Sequence, residues 1–409
     1  MKTFLLRNFI LLIGLLTVLS ACDKELAEID ENKVLKKISV QEQELINATN
    51  NLSLNILRAE FSENEDKNIL FSPISVGMAL GMIYNGVGEV EKSEIQNVLG
   101  LELLMEKELN KSYNELLNFF HVSNDQINIS YANSMWFSQD IDINESYRTK
   151  VMAYYDAEIT ELNFNKPSAV DYINSWGNMT TNGSFEELVK IAPHSSKDIF
   201  LINAFGLNTN WKQVNYLFKA TNQFNLYSGE TQEVNTLNWD GVDVRLNENE
   251  DYSYLEIPFE NDFIMLTVIQ PEQAGSMTDF MTDFTLDDLD YLNISSDEFK
   301  ANISLPEINF NSDKSLKSTF SKIGLNDLFL STTNLSPSFD AGDRQLTDVS
   351  HLSKIETNTN HVNVKNSTSF SNINLKSVIV DKPFIYFIRE KYTNTVLFAG
   401  FYTIPQDLD

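Results

Sequence analysis

The chain is predicted to fold as an α+β domain, with helices packed around a large mixed main sheet and smaller sheets. Three observations predict this. Helical periodicity dominates the early part of the chain, strand patterns gather later, and an apolar fraction of 42% with 27 Phe and 15 Tyr provides for a large aromatic core. The segment Val40 to Phe61 is amphipathic, with Leu45, Ile46, Leu52, Leu54, Ile56 and Leu57 at helical spacings. Ser72 then caps a second helix whose first turn holds Pro73, with Val76, Ala79, Leu80 and Ile83 on one face and Gly86 and Gly88 ending it. Further helices are predicted over Val90 to Leu99, Leu104 to Phe120, Asn144 to Tyr155 and Ser168 to Thr180.

Strand patterns cover Ile127 to Phe137, Glu158 to Phe164, Asp198 to Asn208, Tyr252 to Pro258, Phe263 to Gln270 and Lys300 to Pro306. Three more follow at Lys376 to Val380, Phe384 to Glu390 and Thr395 to Tyr402. Ile199 to Ile202 and Ile264 to Ile269 are largely apolar runs suited to central strands buried on both faces. Tyr254-Leu255-Glu256-Ile257 carries a charge and predicts a half-exposed strand.

The amino terminus reads as an export signal. Lys2 and Arg7 precede an apolar run from Phe9 to Leu19 that is too short to span a bilayer. Leu19-Ser20-Ala21-Cys22 resembles a bacterial lipoprotein processing site, so cleavage is expected before Cys22 and lipid on its thiol. The other reading is an ordinary signal peptide with a chance cysteine. Cys22 is the only cysteine, which precludes a disulfide within a monomer. Residues 1–21 are thus assigned to the signal, 22–38 to an acidic solvated tether and 39–409 to one domain without linker, repeat or low-complexity block. The expected location is outside the cytoplasm, on a bacterial membrane, with the outer membrane or cell surface as candidates. A lipid anchor would be the sole membrane contact.

With 30 Lys+Arg against 58 Asp+Glu, the formal charge of -28 repels phosphate backbones and anionic headgroups. Nucleic acid is therefore not an expected partner.

Several ordered blocks carry a family resemblance. Asn68-Ile69-Leu70-Phe71-Ser72-Pro73-Ile74-Ser75 pairs a short strand with a serine-proline helix start. Ala132-Asn133 with Trp136, Tyr154 to Phe164, and Ile173-Asn174-Ser175-Trp176 before Thr181-Asn182-Gly183 follow in order. Leu201-Ile202-Asn203-Ala204 precedes Trp211-Lys212, and the chain closes with Asp381-Lys382-Pro383-Phe384-Ile385-Tyr386 to Glu390, Asn394-Thr395, Leu397-Phe398-Ala399-Gly400 and Pro405. Over roughly residues 40 to 405 this resembles the serpin family of protease inhibitors. The resemblance implies a monomer, no cofactor and a bait mechanism. A protease cuts an exposed loop, and the loop then inserts as an extra strand of the main sheet, dragging the acyl-enzyme with it. Ser72, Pro73, Ser75, Asn203, Trp211, Pro383, Phe384 and Gly400 are the positions it implies for the fold and for sheet opening. Core hydrogen bonding and packing is the plainer role for Ser72, Ser75, Asn203 and Trp211.

The bait is where the sequence departs from the family. Between Asp343 and Phe398 there is no glycine and no alanine, where the family has a Gly-Thr-Glu hinge and an alanine-rich run. In one register the strand before the loop is Ile355 to Val364, leaving Lys365 to Asn374, about 33 Å of extended chain. In a second register the strand ends near Asn360 and returns about four residues to the loop. A family histidine of that strand then falls at Asn358 or at Lys354, so the latch that moderates sheet opening is expected to be altered. Leu330 to Gln345, rich in Ser, Thr, Asn and Asp, reads as an insertion whose use as substitute bait is left open.

Enzyme chemistry finds no support. His121, His194, His351 and His361 fall in no metal-ligand spacing, and HExxH, GxSxG and phosphate-cradling glycine loops are missing. His194-Ser195-Ser196 is too local to orient a triad, and Thr285 to Asp290 reads as a solvated acidic helix face. No metal, cofactor or catalytic residue is expected. The favoured expectation is a serpin-fold lipoprotein that has lost suicide inhibition, binds or shields at the cell surface, and gains no stability on loop nicking. The alternative is a working inhibitor of extracellular serine or cysteine proteases with its scissile bond among Ser369, Phe370, Ser371, Asn372 and Ile373, Asn372-Ile373 in particular. An unrelated enzyme on the same scaffold is the third.

Overall fold

The computed structural model describes residues 38–405 apart from 62–65, 102–103, 123–127, 192–197, 213–216, 261, 273–276, 341–343, 359–362 and 365–374. Its helices are α1 (Val40–Phe61), α2 (Pro73–Tyr84), α3 (Glu89–Leu99), α4 (Glu106–Val122), α5 (Glu145–Tyr155), α6 (Ser168–Thr180), α7 (Met277–Asp283), α8 (Leu286–Ser295) and α9 (Lys317–Lys322). The strands are β1 (Ile69–Phe71), β2 (Ile129–Ser138), β3 (Ala157–Leu162), β4 (Asp198–Asn210), β5 (Leu217–Asn225), β6 (Thr231–Glu248), β7 (Tyr252–Pro258) and β8 (Ile264–Pro271). They continue as β9 (Asp297–Pro306), β10 (Phe310–Ser315), β11 (Gln345–Asn358), β12 (Asn363–Val364), β13 (Lys376–Ile379), β14 (Phe384–Glu390) and β15 (Val396–Tyr402).

Two sheets form the frame. One has ten strands, ordered β1-β15-β14-β8-β7-β6-β5-β12 with β9 and β13 branching from β6; the other has five, ordered β10-β11-β4-β2-β3. β8 is buried at every position, as its continuous apolar run requires. β4 is sandwiched: Leu201 and Phe205 face the main core under α2, while Phe200, Ile202 and Ala204 pack with Trp136 and Ile173 beneath α6. Helix α2 starts as predicted. The Ser72 side chain accepts from the Ser75 amide, and Pro73 occupies the first turn, where a missing N–H costs nothing.

One strand expectation is corrected. β7 is not half-exposed, because Glu256 is buried; it accepts from Tyr254 Oη at 2.8 Å and lies 3.5 Å from Arg389 Nη2. The charge is balanced inside the sheet rather than solvated. The acidic run at α8 has a local role: Thr285 and Asp288 form a capping box, and no cluster of metal-ligating side chains occurs among the described residues.

Pro383, Phe384 and Gly400 belong to the larger sheet's carboxy-terminal hairpin. Phe384 stacks on Tyr402 at 5.0 Å, and a Cβ on Gly400 would fall 2.0 Å from the Ile69 carbonyl oxygen. These residues secure the fold of the larger sheet and lie outside the β4–β11 pairing.

Candidate functional site

The five-stranded sheet is closed by a parallel pairing of β4 with β11 over thirteen positions, from Asp198 opposite Gln345 to Asn210 opposite Asn358. Parallel neighbours need a long crossover and are the weaker kind of ladder. An added strand entering this sheet would have to part them.

The centre of the seam is fastened by a buried polar network. His351 Nε2 accepts the Ser72 backbone N–H at 2.9 Å, which leaves its proton on Nδ1 to donate to Asn203 Oδ1 at 2.7 Å. Ser353 Oγ lies 2.7 Å from the same Nε2, and the Ser75 hydroxyl donates to Asn203 Oδ1. Asn203 Nδ2 donates to Asn133 Oδ1 at 2.6 Å, extending the network to β2. All five groups at its heart, Ser72, Ser75, Asn203, His351 and Ser353, are buried. Burial without a charged partner holds the imidazole pKa down at about 3, only partly opposed by its bond to Asn203. The histidine is therefore neutral at physiological pH.

This corrects the latch expectation. The histidine is present, as His351, and neither Asn358 nor Lys354 occupies its place. Strand parity gives the reason. Those two residues lie on the opposite face of β11 from His351, where Asn358 bonds Asn208 at 2.7 Å and Lys354 reaches the Ser184 carbonyl at 3.3 Å. The polar composition of β11 offers no hydrophobic alternation from which to read the face. Only its apolar markers could have fixed it: Val349 and Ile355, on the parity of His351, face the main core, and Leu352, on the other, faces the second apolar cluster under α6.

The strand boundary is corrected as well. β11 runs from Gln345 to Asn358 and Val364 pairs with β5 instead, so the register that extends this strand from Ile355 to Val364 is not observed, while the second register's end near Asn360 falls outside the described residues. Before β13 begins at Lys376 the connection spans residues 359 to 375, seventeen in all, against ten in the first register and about fourteen in the second. Within it Asn363 and Val364 form β12, paired in parallel with Phe218 and Lys219 of β5. The scissile candidates Ser369 to Ile373 lie outside the described residues, as does His194-Ser195-Ser196.

Trp211 marks the head of the seam. Its backbone N–H donates to the Asn358 carbonyl at 3.0 Å, and its ring stacks on Phe259 at 4.4 Å and meets Trp239 edge-on at 5.0 Å. The structure thus joins Ser72, Ser75 and Asn203 in one network and places Trp211 above it. His351 and Ser353 are the members that sequence reasoning missed.

A family model described as "Serpin (serine protease inhibitor)" matches residues 47–405. The chain belongs to the serpin family, a class of protease inhibitors. It is 26% identical to human neuroserpin over 88% of this chain and 91% of that protein. An uncharacterized serpin-like protein of Methanosarcina acetivorans is 25% identical over 90% of this chain and 88% of its own length, and mouse plasma serine protease inhibitor 24% identical over 88% and 90%. The crystal structure of native protease nexin-1 with heparin superposes with a TM-score of 0.75 at 19% identity, covering 89% of this chain and all of that one, which shows the shared fold. Among the described residues no helix is long and apolar enough to cross a membrane.

Proposed function

We propose that this chain traps serine or cysteine proteases by inserting its cleaved connection 359–375 as a sixth strand between β4 and β11. The observation that carries the reading is the closed thirteen-position seam, fastened at His351, with a seventeen-residue connection leaving its head. Length is nearly sufficient. Two residues can turn back from Asn358, and a cut at Asn372-Ile373 then leaves His361 to Asn372, twelve positions or about 40 Å of strand, against the thirteen of the seam. Pattern is favourable too: Val362, Val364, Thr368 and Phe370 fall on one parity, with Asn366 and Asn372, while His361, Asn363, Lys365, Ser367, Ser369 and Ser371 fall on the other. The first set suits the core face, the second the face where β11 already presents Ser350 and Lys354. The scissile bond is placed within Ser369 to Ile373. Export, lipid on Cys22 and a cell-surface position belong to the same proposal, since a bait is useful only where foreign proteases arrive.

A second reading, a protein that has lost inhibition and serves to bind or shield, is favoured by one specific observation. The leading residues of the connection contain no glycine or alanine, and two of them are engaged with β5. Incubation with a protease panel and denaturing electrophoresis separates the two. A protease-linked species that survives denaturation, with a raised melting temperature after nicking, is expected. Cleavage without either would leave the second reading standing.

A further inference from the structure

We propose that the segment from Asn334 to Asp340, between α9 and β11, is a clasp across the foot of the seam that must release before an inserting strand can travel its full length. The proposal rests on the strand-insertion reading above. The segment was a candidate substitute bait on sequence alone, yet Leu335, Ser338 and Phe339 are buried.

Its hydrogen bonds run to the β4 side of the seam, and its apolar side chains reach the β11 side. On the β2 side, Phe339 forms an antiparallel bridge with Ile143, flanked by Asn144 N–H to Ser338 carbonyl at 2.8 Å and Asp340 N–H to Asp142 carbonyl at 3.0 Å. The Phe339 ring packs edge-on against Phe137 of β2 at 5.4 Å. β2 is hydrogen-bonded to β4, so these contacts belong to the β4 side. On the other side the segment continues along the chain into β11, and Gln345, its first residue, donates through its side chain to the Phe329 carbonyl at 2.8 Å.

A third set of contacts fixes its height. The Gly88 amide donates to the Asn334 carbonyl, and the Asn334 amide to Glu91 Oε1, each at 2.8 Å; Ser338 Oγ donates to the Gly86 carbonyl at 2.7 Å. A Cβ on Gly86 would lie 2.8 Å from Tyr147 Cε2 and 2.9 Å from Ser338 Cβ, so the ring from α5 and the clasp together call for glycine in the turn between α2 and α3. Leu335 and Phe339 line one small cavity with Ile199 and Leu201 of β4 and Leu346 of β11. The two strands and the clasp therefore meet at a single point.

One added strand widens the seam by about 4.8 Å. The clasp is bonded around Ile143 on the β4 side and packs beside Leu346 of β11, so that displacement cannot leave both contacts in place. Insertion proceeds from the head, where the connection leaves β11, and reaches the clasp last. The clasp thus separates partial from complete insertion without touching the bait.

Two variants test this in a chain carrying Cys22→Ser. Phe339→Ala should speed amide hydrogen exchange at Leu346 to Val349 and Ile199 to Leu201 by about tenfold or more while the head, Ile355 to Asn358, changes by less than about twofold. Equal acceleration at head and foot, or none, would overturn the clasp whether or not the protein inhibits anything. The Ile143→Cys/Phe339→Cys pair sits at facing bridge positions, close enough for a disulfide. When oxidised it should be nicked at an unchanged rate yet gain much less melting temperature than when reduced. Equal gains in both forms would also overturn the clasp. No gain in any form, the parent included, would refute strand insertion itself, and the exchange data would then decide the clasp alone.

Discussion

Acid should loosen the resting sheet through His351, and the size of the effect follows from its burial. An unfolded histidine titrates near 6.5, whereas in the fold burial holds the value at about 3. Between these values the unfolded chain takes up a proton that the native state excludes, so stability is lost as pH falls below 6.5. The slope is about 1.4 kcal/mol per pH unit, which makes the loss about 2 kcal/mol by pH 5. Glu390 works the other way. Its buried carboxyl is held above its usual range, so its contribution grows as pH falls. A difference measurement removes that term. Unfolding midpoints of the parent and of His351→Gln, which keeps a donor and an acceptor in the site, are compared from pH 7 to pH 4.5 in urea. The parent should lose stability faster, by close to one proton's worth of slope, and the two curves should converge toward acid. Parallel curves would refute the reasoning, as would a ring titration by nuclear magnetic resonance with a midpoint near 6.5.

Other substitutions probe the network, the buried charge and the hairpin. Asn203→Ala strips partners from His351 Nδ1, the Ser75 hydroxyl and Asn133 together, and at about 1–3 kcal/mol per orphaned group it should lower the urea midpoint severely and accelerate opening of the β4–β11 seam, read by hydrogen exchange. Glu256→Gln leaves the Arg389 guanidinium, itself 2% exposed, without its countercharge and should cost about 3–5 kcal/mol, whereas replacing both partners by apolar residues should restore most of it. Gly400→Ala drives a methyl into the Ile69 carbonyl and the Tyr386 ring and should cost about 3 kcal/mol or more, measured as lost soluble yield and a lowered melting temperature.

Elements with a strong, uninterrupted period were legible in the sequence. The reading of Val40 to Phe61, Ser168 to Thr180, Tyr252 to Pro258 and Phe384 to Glu390 matches α1, α6, β7 and β14 to the residue. β6 was not legible because Gly241, at φ +84°, inserts a bulge between Asp240 and Val242 that shifts the inward set from one parity to the other midway. β5 and β10 are polar along much of their length and were missed for want of an apolar stripe. The burial of Glu256 depends on Arg389, far along the chain, which no local pattern can announce. The site was half legible: Ser72, Ser75 and Asn203 came from resemblance, while His351 was hidden by an error of strand register, which reverses every side chain it touches. The foot clasp looked like a polar loop because its buried anchors, Leu335 and Phe339, are only two residues among many polar ones.

The absence of glycine and alanine in the connection bears differently on the rate of insertion and on its end state. Bulky Val362 and Val364 must pass the closed head of the seam, under Trp211, so entry should be slow. Once in place, however, valine, threonine and isoleucine favour the extended backbone, and a chain without glycine gives up less conformational entropy when fixed, where each ordered residue costs about 1–2 kcal/mol. A protease that hydrolyses its acyl-enzyme quickly would then escape before the strand is home, although the nicked protein would still complete insertion. The expected signature is a melting temperature that climbs over minutes to hours after nicking, with the denaturation-resistant complex formed chiefly with proteases that hydrolyse their acyl-enzyme slowly. Val362→Ala should raise the trapped fraction severalfold without changing the final melting temperature much. If the nicked chain never gains stability, slow entry is not the obstacle; if Val362→Ala leaves trapping unchanged while stability still climbs, the bulk of the leading residues is not what sets the rate.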